Sequence, residues 1–252
     1  MSDVAVSNKS GDATAEWRVR VDLAALYRLF AHYGWTDLIY THVTARVPGE
    51  EGCYLINPYG LMFEEVTASS LLKVDYEGRV LSGAEPYNEA GHLIHTAVLK
   101  ARPEINFVLH SHTRAGIAVS AMAGGLLPLS QHAMAILGQV AYHPYQDVTS
   151  AADECAKLAH DLGDKYLMIL HNHGLLACGR TAGEAFCFHY LLEMACKVHV
   201  DVLRSGAETL QPPASVVEGR EAWGMPGPEP KGAREWAALR RLLERKDPSF
   251  KD

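Results

Sequence analysis

The sequence predicts a mixed fold of the α/β or α+β class, and three observations predict it. Stretches with apolar residues at helical spacing are interspersed with short apolar runs of strand length. Pro-Gly and Pro-Tyr-Gly turns separate those runs, and no internal repeat is present. The 252 residues are 48% hydrophobic and 21% charged, which suits one large domain with a real core and excludes disorder, collagen and a small disulfide scaffold.

Residues 1–14 are small and polar and read as a flexible tail. From Ala15 to Tyr33, Val19, Leu23, Leu26, Tyr27 and Phe30 recur at helical spacing, and Gly34 stops the helix. Strand-like runs follow, among them Leu38–Val47 and Cys53–Asn57. Asn88 is placed to cap a helix running to about Lys100. A strand is expected over Asn106–His112, and Thr113 opens a helix to Met122. Ser150 to Asp153 and Thr181 to Glu184 read as capping boxes. Between them lies a strand from Tyr166 to His171, and the second box opens a long helix ending before Gly206. This gives a main domain over 15–210, followed over 211–252 by a Pro/Gly-rich linker and a short amphipathic helix carrying Trp236, Leu239, Leu242 and Leu243.

Thirty acidic residues against 23 Lys and Arg give a net charge of −7, which argues against nucleic acid or an anionic membrane as a partner. The N-terminus has no signal-peptide pattern, and no apolar run approaches the length of a membrane span. Five scattered cysteines form no C-x-x-C pair and suit reduced thiols. A cytoplasmic protein is expected.

The informative residues are histidines. Leu109-His110-Ser111-His112 ends one apolar strand, and His171-Asn172-His173-Gly174 ends another. Residues i and i+2 of a strand share a face, so two neighbouring strands ending this way converge three or four imidazoles on one point. Three imidazoles with open positions make a catalytic metal site. The plainer alternative is strand-end histidines bonded to loop carbonyls, and the doubled motif favours ligands.

The stretches A-R-P-E-I-N-F-V-L-H-S-H-T, L-L-P-L-S, V-A-Y-H-P-Y and L-H-N-H-G-L-L-A-C-G resemble, in order and spacing, the class II aldolase/adducin family from about Leu23 to Ser205. The resemblance implies a three-layer α/β/α domain around a mainly antiparallel sheet, usually a homotetramer with sites at subunit interfaces. It places the metal ligands on His110, His112 and His173, with zinc expected and manganese, iron or cobalt as alternatives. It also matches Tyr145 to a tyrosine that donates a proton in a neighbouring subunit's site.

The sequence departs from the sugar-phosphate aldolases of that family at several positions. Their Ser-Ser-Glu falls on Glu89-Ala90-Gly91, so Gly91 stands where the acid/base Glu would be. Their Gly-Asn phosphate loop falls on Thr41-His42, and their Thr-Gly on Tyr59-Gly60. Glu89 beside a phosphate dianion would be repelled, so a non-phosphorylated substrate is expected. Glu89 is either a catalytic carboxylate or a helix-capping one. His95, one turn from Gly91 on the same face, is a candidate catalytic or supporting group. His42, Tyr59, Gly60 and Gly91 are expected to line the substrate pocket, while His171 is a supporting group and His92, His132, His143, His160, His189 and His199 are structural.

Three functions fit. The first is a divalent-metal-dependent lyase cleaving or decarboxylating a hydroxy-carbonyl or hydroxy-acid substrate, where the metal stabilises the carbanion left as a C–C bond breaks. The second is an Fe(II)-dependent oxygenase. The third is a non-catalytic oligomerisation module like the adducin head, which the resemblance also gives a Gly in place of the Glu.

Overall fold

Alternate residues of two central strands point into two different cores, and this alternation organises the molecule. In β2 (Cys53–Ile56), Leu55 joins one core while Tyr54 and Ile56 join the other; in β5 (Phe107–Ser111), Phe107 and Leu109 oppose Val108 in the same way. The computed structural model describes residues 9–83, 85–145 and 151–252.

The remaining strands are β1 (His42–Arg46), β3 (Leu72–Asp75), β4 (Val80–Ser82), β6 (Val140–His143), β7 (Leu167–Leu170) and β8 (Gly174–Gly179). They form one eight-stranded sheet in the order β4-β3-β2-β1-β5-β8-β7-β6. All its pairings are antiparallel except β6 with β7, so the sheet is mixed but mainly antiparallel, as expected. Helix α5 (Ala151–Leu162) makes the crossover that a parallel pair requires.

Helix α1 (Lys9–Tyr33) covers one face, burying Leu23, Leu26, Tyr27 and Phe30 against Val43, Ala45 and Leu109. It starts six residues before the expected Ala15. The small polar residues that precede Ala15 carry no apolar periodicity, although their backbone is compatible with a helix. Helices α2 (Glu89–Ala101), α3 (Arg114–Ser120), α4 (Gln131–Ile136) and α6 (Ala182–Arg204) complete the layers. The caps expected at Asn88, Thr113 and Thr181 form, and Ser130 adds another: each accepts a hydrogen bond from the backbone N–H three residues on. The Ser150 cap lies outside the described residues.

The segment after Gln211 holds two helices, α7 (Ala214–Gly224) and α8 (Ala233–Lys246). Helix α8 and the turn after it pack on α1, with Leu243 and Phe250 buried and Arg28 Nη1 2.8 Å from Asp247. No helix among the described residues is long and apolar enough to cross a membrane.

Candidate metal centre

The two histidine-bearing strands are not neighbours. Strand β8 returns from β7 and lies between β7 and β5, pairing Ser111 with Leu175. The turn that reverses the chain contains Asn172 at φ 55°, and it delivers His173 beside the end of β5. Gly174 is required here, because a Cβ would stand 2.3 Å from the carbonyl oxygen of Ser111. The convergence expected of two adjacent strand ends is thus achieved through a hairpin.

His110, His112 and His173 come together with their ligand nitrogens all within 4.8 Å of one another. Nε2 of His112 is 2.8 Å from Nε2 of His110 and 2.9 Å from Nε2 of His173. The outer nitrogens settle two tautomers. Nδ1–H of His110 donates to the Leu175 carbonyl at 2.9 Å, and Nδ1–H of His112 donates to the Asp37 carboxylate at 3.0 Å. Both rings therefore turn Nε2 toward each other, an arrangement that suits a cation held between them. A proton on His110 or His173 is disfavoured. Burial, with His42, His173 and His112 nearby, holds His110 well below the ordinary imidazole range, and burial with His112 pushes His173 down to about 4. Three converging imidazoles, two of them with their outer nitrogens hydrogen-bonded, fit a divalent metal.

Asp37 is the functional residue that sequence reasoning missed. It lies in the loop between α1 and β1, where Trp35 is buried and Leu38 adopts φ 48°. Nothing in its local pattern marks it; only the pairing of β1 with β5 brings that loop to the end of β5.

His42 pairs with His110 in register, and both are buried. Nδ1 of His42 shares a 2.9 Å hydrogen bond with Nε2 of His95, whose Nδ1 lies 2.6 Å from Thr44 Oγ1. Gly91 lies against the His42 ring, so the space over it is filled by imidazole and is not a vacancy for substrate. His95 shares that helix face, as the i+4 spacing requires. Glu89 is exposed in the first turn of α2, and Asn88 caps that helix. Tyr145 is 67% exposed, with its ring centroid 6.3 Å from that of His173 in the same chain. Tyr59 and Gly60 lie in the turn after β2, where the Tyr59 N–H donates to the Pro86 carbonyl. His171 remains outside the cluster, its ring 5.8 Å from that of Tyr142.

A cavity of about 300 Å³ opens beside His173 and Tyr145, walled by Leu93, Ile94, Leu158 and Leu170. No Lys or Arg lines it among the described residues. His143 on its wall is held between Glu154 at 2.8 Å and Asp161 at 2.7 Å. The charge available near the cavity is therefore acidic, which disfavours a phosphate dianion.

Residues 21–200 match the family model described as Class II Aldolase and Adducin N-terminal domain. A Caulobacter vibrioides protein named after class 2 aldolases is 46% identical over 250 residues, covering 98% of this chain and 97% of that protein. Alpha-adducin of Rattus norvegicus is 38% identical over 97% of this chain, which corresponds to 35% of the adducin. Among solved structures, an aldolase II superfamily protein from Pseudomonas syringae superposes with a TM-score of 0.90 at 45% identity, covering 98% of this chain and 100% of that one. L-fuculose 1-phosphate aldolase from Glaciozyma antarctica gives a TM-score of 0.77 at 26% identity, covering 100% and 97%.

Proposed function

The chain belongs to the class II aldolase and adducin N-terminal domain family, and from that premise we propose that it is a divalent-metal-dependent lyase. Its substrate is a non-phosphorylated hydroxy-carbonyl or hydroxy-acid compound, and the reaction is aldol cleavage or decarboxylation. The observation that carries this reading is the meeting of the His110 and His112 Nε2 atoms at 2.8 Å, with both outer nitrogens already hydrogen-bonded. Together with His173, these rings hold the metal, zinc by preference. A divalent ion there would polarise a bound oxygen and stabilise the negative charge that develops as a C–C bond breaks.

The chain's own residues supply the rest. Tyr145, exposed at the mouth beside His173, is the proton donor. His95 acts through His42, which it holds in place. Glu89, Tyr59 and Gly60 are exposed, and none of them lines the cavity beside His173. The acidic surroundings of the cavity and its lack of cationic lining support a substrate without phosphate. The chain works as a homo-oligomer, a tetramer by family habit, in the cytoplasm.

The second reading is a non-catalytic assembly module, favoured by the match of nearly the whole chain to the adducins. Elemental analysis of protein purified anaerobically without chelator decides between the readings. One zinc or manganese per chain supports the lyase, and one iron points to an oxygenase on the same ligands. No metal, even after soaking, leaves the assembly module.

A further inference from the structure

Four buried or half-buried histidines crowd the end of β5, and the metal cluster uses three of them. The fourth, His42, is 2% exposed and lies across from His110, ring centroids 5.0 Å apart. It is not part of the group whose ligand nitrogens converge. Its Nδ1 is taken by His95, and His95 is held in turn by Thr44. This two-residue buttress fixes the ring, and Nε2 of His42 has no hydrogen-bond partner among the described residues.

Gly91 lies against the same ring. A Cβ there would stand 2.7 Å from Cγ and Cδ2 of His42 and 2.9 Å from Nε2, closer than real carbons approach. Gly91 is the third residue of α2 and does not adopt positive φ, so the backbone does not demand glycine. The imidazole does. A buttressed aromatic ring cannot swing aside as a lysine or methionine would.

We propose that His42 is a ligand-contacting residue of the metal centre, with Nε2 directed at the small molecule held on the metal, and that Gly91 is small so that this ring can occupy the volume. His95 and Thr44 are its positioning residues. The proposal rests on the metal-centre reading above and adds the substrate chemistry that the site recognises. The Thr44 hydroxyl either donates to His95 or accepts from it. In the first arrangement Nε2 of His42 carries a hydrogen, and in the second it presents a lone pair. The site therefore accommodates a carboxylate or carbonyl oxygen that accepts, and equally a hydroxyl that donates. A 2-hydroxy acid offers both oxygens to one metal and one imidazole.

Two experiments test the two halves separately. The steric half is read on metal-free protein by a double-mutant cycle of Gly91→Ala, His42→Ala and the pair. Gly91→Ala alone is expected to lower Tm by roughly 3 °C or more, as overpacking does, and to be neutral or stabilising once His42 is alanine. Equal shifts in both backgrounds overturn this half. Should Gly91→Ala fold only in the His42→Ala background, the coupling is shown all the more directly.

The binding half uses zinc-loaded protein titrated with oxalate, a bidentate carboxylate, in wild type and His42→Asn. Oxalate affinity is expected to fall about tenfold, the scale of one hydrogen bond to a charged group, while zinc affinity stays within about threefold of wild type. Unchanged oxalate affinity overturns the contact, and a parallel loss of zinc overturns it by making His42 a ligand. Wild-type protein that takes up no zinc sinks the metal-centre reading instead, and the double-mutant cycle still reports on Gly91 and His42.

Discussion

Asp37 holds His112 by a 3.0 Å hydrogen bond to Nδ1, and this contact decides which nitrogen of His112 faces His110 and His173. The carboxylate lies on a loop before β1, 75 residues away in sequence. Partners of this kind orient a metal-binding imidazole and raise its basicity.

Asp37→Ala is therefore expected to weaken zinc binding by about 10- to 100-fold, the usual cost of losing such a partner. The carboxylate is 45% exposed, so the metal-free protein should keep its Tm. Competition against a chromogenic chelator measures the affinity. Unaltered zinc affinity would remove Asp37 from the site.

The ligand assignment has its own test. His110→Ala combined with His112→Ala should abolish metal binding while leaving the far-UV circular dichroism of a folded chain. Chelator should lower Tm in the wild type and leave the double variant unmoved, because a ligand at 100 times its Kd contributes about 2.7 kcal/mol to the native state. Undiminished metal content in the variant would show that other residues bind it.

Acid should destabilise the metal-free protein, and the sign follows from the buried imidazoles. Burial, with Lys197 nearby, pushes His189 down to about 3, and burial with His112 pushes His173 to about 4. The unfolded chain, whose histidines titrate near about 6.5, binds more protons than the native state between those values. Stability therefore rises with pH through that window, is complete above about 6.5, and is lost as pH falls toward 3. Each proton taken up on unfolding steepens the slope by about 1.4 kcal/mol per pH unit. His189 stacks on Phe30 and meets Ser111 Oγ at 3.1 Å, so His189→Phe keeps the ring packing and should flatten the slope. Urea melts between pH 7 and 4 provide the comparison, and identical slopes would assign the acid sensitivity elsewhere.

Gly174→Ala should disturb fold and site together. The added methyl meets the Ser111 carbonyl at 2.3 Å in the β5–β8 pairing that brings His173 to the cluster. A loss of roughly 1–3 kcal/mol by denaturant melts, with weakened zinc binding, is expected. Full stability with normal zinc affinity would mean that the two strands can part there without cost.

Fuculose- and ribulose-phosphate should give no turnover, since the cavity by His173 is lined by no Lys or Arg among the described residues and His143 there is flanked by Glu154 and Asp161. Brisk cleavage of either would reverse the reading of the acidic surroundings. Gly91→Glu should be poorly tolerated, because its side chain must enter the volume of the His42 ring.

Relations between residues close in the chain are legible in the sequence, and those that depend on strand pairing are not. Asn88, Thr113 and Thr181 announced their helices because a cap is a relation between residues three apart. His110 and His112 were found by strand alternation, and His173 by its own doubled motif together with the family resemblance. The role of β8 was not legible: Gly174–Gly179 directly follows the motif, and its insertion between β5 and β7 is a matter of topology. Asp37 and the Gly91–His42 contact are likewise long-range, and no spacing rule reports them. The C-terminal helix was read as amphipathic, but that its apolar face completes the core over α1 depends on packing alone.

The hairpin route to the cluster also bears on kinetics. The ligands come from β5 and from a turn 61 residues beyond His112, so no local segment of the nascent chain holds the three together. The site exists only once β5 has paired with β8, a non-local step in folding. An ion captured that late cannot act as a nucleus. It should leave the refolding rate nearly unchanged and slow unfolding, so a bound metal would lock the finished molecule and its uptake would report the pairing of β5 with β8.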